Sequence, residues 1–329
     1  MSRSLRSLIH CLLAVAALGL LESPAYCSDR DHTHLVLFSD PHLPGRNIPM
    51  KQKTIETVNS WTDVDLVAVL GDLCNDLGTK EEYAYVKEFF SQLKAPFYPV
   101  TGNHDYIYDD DKVFGKRGKA PPGARRAKLD LFKETFVLEH WRYSREAGPY
   151  LLLFLSVDSL SSSLLAELSE ESLLWMENKL KENAGRPTIV FFHAPLKGTL
   201  MSSNRGAETA DFVAQPCWRI AEIIAAHPQI FLWASGHMHI APTHAKFNDP
   251  VNLFGNQVIN LHNCDMDGRS YLVDSDLETT KHTTIWTISL YLYKDRILVK
   301  TYDHEKELWM ESLERQIQVG KPGFSTPRE

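Results

Sequence analysis

The chain has 329 residues, 43% of them hydrophobic and 23% charged, and a net charge of −7 at pH 7. It is long enough to bury one large core or two small ones, its composition is that of a globular protein, and its negative balance argues against a general nucleic-acid binder. Its five cysteines include no Cys-x-x-Cys, so a thiolate metal site is not expected.

Residues 1–27 stand apart in composition. Arg3 and Arg6 precede an apolar stretch over 8–21, followed by Ser23-Pro24-Ala25. This is the tripartite layout of a secretory signal, and its 14 apolar-run positions are few for a membrane span. Cleavage is expected after Ala25 or Cys27, and the bulky Tyr26 argues against lipidation. The expectation is therefore export to a periplasmic or secreted location, with an uncleaved N-terminal anchor as the alternative and no stable membrane insertion after cleavage. An oxidising compartment permits a disulfide, but spacing does not choose a pair among Cys27, Cys74, Cys217 and Cys264. Residues 28–329 are read as the catalytic body, with 319–329 as a disordered tail.

Five apolar runs then give way to polar or glycine residues, as strands ending in loops do. Residues 35–39 lead into Asp40-Pro41-His42, and 66–70 into Gly71-Asp72. A strand over 97–100 breaks at Thr101-Gly102-Asn103-His104-Asp105; 189–192 deliver His193; and 230–235 end in Gly236-His237-Met238-His239. Asp40 and His42 share one side of an extended chain, as do His237 and His239. In sheets fed by crossover helices, ligand sites gather outside the carboxyl ends of strands. All five ends can therefore converge on one site.

Between these ends lie helical patterns. Thr79 to Glu82 form a capping box, and the apolar stripe that follows predicts a helix joining two parallel strands. Further helices are expected over 169–183 and 216–226. Residues 109–128 carry Asp109-Asp110-Asp111 and then seven basic residues punctuated by Gly115, Gly118, Pro121, Pro122 and Gly123. They are read as a basic loop inserted beside the site. Asp158 reads as a strand-end turn residue. Alternating runs near 257–261, 284–292 and 296–302 suggest antiparallel strands completing a second sheet. Eight further histidines, among them His34, His262 and His304, belong to no motif and read as surface or satisfied polar groups.

The order Asp-x-His, Gly-Asp, Gly-Asn-His-Asp, His, Gly-His-x-His resembles the calcineurin-like metallophosphoesterase superfamily, over residues 35–239. Any one motif is weak, since Gly-Asp occurs by chance in most chains of this size; five in order are a specific signal. The resemblance implies an α/β fold, a four-layer α/β/β/α sandwich of two mixed sheets flanked by helices. It implies two divalent or mixed-valence metal ions (Mn, Fe or Zn), one held by Asp40, His42, Asp72 and His239, the other by Asp72, Asn103, His193 and His237, with Asp72 shared. The implied chemistry is hydrolysis of a small anionic phosphate ester, a mono- or diester, by a hydroxide bridging the metals, with His104 as general acid and Asp105 orienting its ring. Asn75 stands where purple acid phosphatases place a tyrosine, so an iron–phenolate site is not expected. The chain is most similar in style to class III cyclic-nucleotide phosphodiesterases.

Alternative readings are a non-catalytic metal-binding module on the same scaffold and a nucleotide pyrophosphatase. Amidohydrolase and metallo-β-lactamase patterns fit worse. His32-Thr33-His34 precedes the first strand's end, and His237-Met238-His239-Ile240 does not continue as a β-lactamase block. For the signal reading, N-terminal sequencing of native material should give a start between Tyr26 and Ser28; an intact Met1 on a cytoplasmic form would refute it.

Overall fold

The computed structural model describes residues 30–200, 209–248, 250–272, 278–320 and 324–325; the segment read as a signal lies outside them. In the first half, β1 (His32–Phe38), α1 (Ile48–Ser60), β2 (Val64–Leu70), α2 (Lys80–Phe90) and β3 (Phe97–Val100) alternate, followed by α3 (Pro122–Thr135). Then come β4 (Tyr143–Ala147), β5 (Tyr150–Phe154), α4 (Glu170–Glu182), β6 (Thr188–Phe191), α5 (Cys217–Ala226) and β7 (Ile230–Ser235). The remainder is strand-rich: β8 (Leu253–Phe254), β9 (Val258–His262), β10 (Arg269–Leu272), β11 (Glu278–Lys281), β12 (Trp286–Tyr293), β13 (Arg296–Asp303), β14 (Leu308–Trp309), β15 (Arg315–Gln318) and β16 (Phe324–Ser325).

Two mixed sheets result. One runs β16-β15-β13-β12-β1-β2-β3 with β14 on β13, the other β4-β5-β6-β7-β9-β8. Alternation along the central strands sorts their residues into two cores. Leu35 and Leu37 of β1, Leu66, Ala68 and Leu70 of β2, and Ile189 and Phe191 of β6 pack together in an inter-sheet core to which none of α1–α5 contributes. Val36, Phe38, Val67, Val69 and Val190 point the other way, into a core with Ile55, Val86, Phe90, Met176 and Ile223 from the helices. Both faces of each sheet are thus buried, which is why these strands read as near-continuous apolar runs. The four-layer sandwich follows.

The capping box forms as expected, with Thr79 accepting from Glu82 N–H and the Glu82 carboxylate returning to the Thr79 N–H. Three expectations are corrected. The runs at 284–292 and 296–302 are antiparallel strands of the first sheet, β12 lying directly against β1. The run near 257–261 pairs parallel with β7. Alternation marks a strand but does not name its partner.

Residues 109–128 are also more regular than a breaker-rich composition suggests. Val113 and Lys116 exchange backbone hydrogen bonds across a two-residue turn, with Phe114 and Gly115 at φ of 52° and 72°, the hairpin turn that Gly favours. Pro122 sits in the first turn of α3, where its missing N–H costs nothing. Arg125 and Lys128 are buried supports: Arg125 donates to the carbonyls of Ala120 and Ser162, Lys128 to those of Leu77 and Tyr108. The tail expected to be disordered includes β16, paired with β15. Cys74, Cys217 and Cys264 are free thiols.

Asp158 is a structural anchor. Its buried carboxylate accepts from Ser169 N–H (2.6 Å), Ser169 Oγ (2.7 Å), Ser172 Oγ (2.6 Å) and Trp141 Nε1 (2.9 Å), fixing the start of α4. Asp158→Ala should strand these donors and cost roughly 3–5 kcal/mol by denaturant unfolding. A loss below about 1 kcal/mol would show that they find other partners.

Candidate metal centre

All seven sequence-predicted ligand residues lie just beyond strand ends: Asp40 and His42 after β1, Asp72 after β2, Asn103 after β3, His193 after β6, and His237 and His239 after β7. All are buried. The extended geometry assumed for the Asp40/His42 and His237/His239 pairs does not hold. These four residues and Asp72 have φ between 42° and 64°, a left-handed backbone uncommon for non-glycine residues. Strand pairing continues through the bends: Asp40 N–H donates to Gly71 O (3.1 Å), His42 N–H to Asp72 O (3.0 Å), and Gly236 N–H to His193 O (2.8 Å). Close approach explains two motif glycines. A Cβ on Gly102 would lie 2.3 Å from Asp72 Oδ1, and one on Gly236 2.3 Å from Asp40 Oδ2.

Among the described residues, three groups of side chains present ligand atoms within 4.8 Å of one another: Asp40, His42 and His239; His42, Asp72 and His104; and Asp72, His193 and His237. His239 Nε2 lies 3.1 Å from Asp40 Oδ1. His193 Nε2 is 3.5 Å from Asp72 Oδ1 and 3.3 Å from Asn103 Oδ1, and His42 Nε2 is 3.8 Å from Asp72 Oδ2.

Second contacts choose which atom of each residue faces inward. His193 Nδ1 sits 2.9 Å from Leu70 O, leaving Nε2 toward Asp72. His237 Nε2 meets Asp211 O at 3.0 Å, leaving Nδ1 for the centre. Asn103 Nδ2 donates to Tyr108 Oη (3.2 Å), turning its carbonyl oxygen toward His193.

The donors are electrostatically linked: burial opposes it, but Asp72 and Asp40 raise the His193 imidazole to about 9, and against burial Asp40 and Asp265 raise that of His239. Burial pushes the Asp72 carboxyl up, but His193, His104 and His42 outweigh it and hold the group well below the usual range. Asp40 is likewise held down, by His239 and His193 against burial. Burial and the neighbouring His193 bring His237 down to about 4. Burial, with His104 beside it, holds the His42 imidazole well below its usual range, and neither of its ring nitrogens has a hydrogen-bond partner. A buried imidazole with no partner at either nitrogen, set beside two carboxylates and two further imidazoles, is a donor set that a cation would satisfy and a protein interior otherwise avoids.

The roles expected for His104 and Asp105 separate. Asp105 does not touch the His104 ring. Its carboxylate turns under the loop to accept from Leu73, Cys74 and Gly102 N–H (3.2, 2.8 and 2.7 Å), and burial together with the Asp72 charge raises it to about 7. Asn75 O holds the ring instead, 2.8 Å from His104 Nδ1. His104 Nε2 faces the centre, 3.9 Å from Asp72 Oδ2. Arg117 brings one terminal nitrogen within 3.0 Å of His104 Nδ1 and 3.2 Å of Nε2, its guanidinium resting 4.5 Å above the Tyr108 ring. A fixed cation beside His104 disfavours it as a metal ligand.

The sequence reading missed the 265–269 loop. Buried Asp265 has Oδ2 3.3 Å from His239 Nδ1 and accepts Arg269 N–H through both oxygens, while Asp267 pairs with buried Lys51 (2.8 Å) and Arg269 Nε (3.2 Å). No local pattern marks these residues, because the chain returns to the site there only through the pairing of β9 with β7. A cleft of about 580 Å³, lined by His104, Asn75, Tyr108, Arg117 and Arg269 among others, opens beside His104.

Two mixed sheets with histidine, aspartate and asparagine donors collected at their strand ends define a metallohydrolase-type site. The chain belongs to the calcineurin-like phosphoesterase family, whose model matches residues 33–241. It is 29% identical over 54% of its length to a probable glycerophosphodiester phosphodiesterase of Arcobacter nitrofigilis, and spans only 58% of that relative. It is 24% identical to a probable cyclic nucleotide phosphodiesterase of Moraxella catarrhalis, over 64% of this chain and 72% of the other. Its fold is that of a dimetal phosphatase from Danio rerio, with a TM-score of 0.54 at 13% identity, covering 84% of this chain and 98% of that one.

Proposed function

We propose that this chain is a binuclear metal-dependent phosphoesterase acting on a phosphodiester. The observation that carries the reading is the set of buried donors around Asp72, with His42 uncapped at both nitrogens. Family membership and the names of the curated relatives support a phosphodiester substrate. Asp40, His42, Asp72 and His239 would hold one ion, and Asp72, Asn103, His193 and His237 the other. Bound there, the two cations would supply Lewis acidity toward the phosphoryl oxygens and a reactive water near neutral pH.

The protein's own groups supply positioning and the proton. With His104 Nδ1–H donated to the Asn75 carbonyl, the proton that can be given away is on Nε2, the nitrogen facing the centre. Burial lowers the imidazolium's pKa, Asp72 raises it and Arg117 lowers it again. The net result is a stronger acid than free histidine, suited to protonating a departing alkoxide.

Metal analysis of fully active protein should find two ions per chain. Asp72→Ala should lose both, whereas His42→Ala should chiefly weaken one; equal retention by the two variants would refute the assignment. His104→Ala should lose roughly 10²- to 10⁴-fold in rate on an alkyl or nucleoside ester. A nitrophenolate leaves without a proton, so the same variant should be much less impaired on a nitrophenyl ester, with both metals retained. Equal losses on both esters, or loss of a metal, would make His104 a ligand or a support.

A further inference from the structure

The cleft above His104 carries more positive charge than one scissile phosphodiester calls for. Its lining includes Arg46, Lys112, Lys116, Arg117 and Arg269 against two carboxylates, Asp76 and Asp267, in a chain whose net charge is −7. Both carboxylates are already shared. Lys112 and Arg117 both reach Asp76, and buried Lys51 competes with Arg269 for Asp267.

Arg269 is fixed before any ligand arrives. Both oxygens of Asp265 hold its backbone N–H, and its Nε is ion-paired with Asp267 at 3.2 Å without a hydrogen bond, while no described residue accepts from its two terminal nitrogens. Arg46, whose backbone N–H donates to Asp267 Oδ1 at 2.7 Å, and Lys116 also line the cleft; their side chains are exposed and make no ion pair among the described residues. The hairpin turn at Phe114-Gly115 holds Lys116 over the opening.

We propose that Arg269, Arg46 and Lys116 form a second anion subsite, so that the substrate carries another phosphate group besides the one hydrolysed. This deepens, and rests on, the phosphoesterase reading. An isolated surface cation contributes little to binding an anion. A guanidinium with its inner edge already anchored loses little side-chain entropy when its outer edge takes a phosphate, and the two exposed cations add to the field of a concave, positively lined cleft.

The test compares two substrates with one leaving group: the p-nitrophenyl ester of thymidine 5′-phosphate with and without a second phosphate on the 3′ hydroxyl. For the metal-loaded enzyme, KM should be about tenfold lower for the doubly phosphorylated ester, as one or two charge-assisted contacts supply, and the difference should shrink in high salt. The double variant Arg46→Ala, Lys116→Ala removes two exposed side chains that make no ion pair among the described residues and should abolish most of the difference. Equal KM values in wild type, or a preference that the double variant keeps, would overturn the subsite while leaving the phosphoesterase reading intact. If neither ester is hydrolysed, that reading fails by itself, and calorimetry on metal-free protein decides the subsite. Thymidine 3′,5′-bisphosphate should then bind about tenfold more tightly than thymidine 5′-phosphate, and equal affinities would overturn it.

Discussion

Buried negative charge at the seam between the sheets is the constraint on which this structure turns. Asp40, Asp72, Asp105 and Asp265 are all essentially inaccessible, and four carboxylates cannot share a dry site unless each is neutralised differently. Asp72 and Asp40 stay ionised among imidazoles. Asp105 is raised to about 7 by burial and the Asp72 charge, while three backbone N–H donors work against the rise. Asp265, raised to about 7 by burial although His239 works against it, leans on His239 and the Arg269 backbone. The imidazoles thus act both as ion-pair partners and as donors to a cation.

Holding these groups together has a conformational cost. Five of the seven candidate ligand residues occupy left-handed backbone, at roughly 1 kcal/mol each. The total of about 5 kcal/mol is comparable to the net stability of a small domain. It is offset locally, because the parallel pairing of β1 with β2 continues past the strand ends through the Asp40–Gly71 and His42–Asp72 backbone bonds. Five of the ten non-glycine residues with positive φ among the described residues gather at this one set of strand ends, as strain kept for chemistry rather than for folding does.

The ligand residues were legible because each sits where an apolar run stops, and a strand's end can be read from sequence without knowing its neighbours. What lies one contact further out was not legible. Asn75 O, Leu70 O and Asp211 O act through their main chains, so side-chain identity says nothing of them. Asp265 and Arg269 come into reach only once β9 pairs with β7. The misassigned sheet has the same origin: β12 reads as a strand by its alternation, but that it lies against β1 is a non-local fact. Helix α1 escaped notice because its buried face includes Lys51 and Thr54 as well as Ile55 and Val58, which blurs the apolar period. In α3, Pro122 and Gly123 masked a helix start, and the polar pattern hid two cations buried for their hydrogen bonds.

Asp105 shows why the loops act as one unit. Next to the general-acid candidate, it invited a direct role in orienting that ring, yet its carboxylate joins the Gly102 amide of one loop to the Leu73 and Cys74 amides of another. Asp72 and Asn75 lie on either side of that second pair. The same carboxylate therefore fixes where Asp72 stands relative to Asn103, and where the Asn75 carbonyl stands relative to His104. His104 N–H closes the circuit by donating to Asp72 Oδ1 at 2.8 Å. Ligand placement and the placement of the acid are mechanically the same constraint, so a disturbance at one loop reaches the other through two hydrogen-bond links.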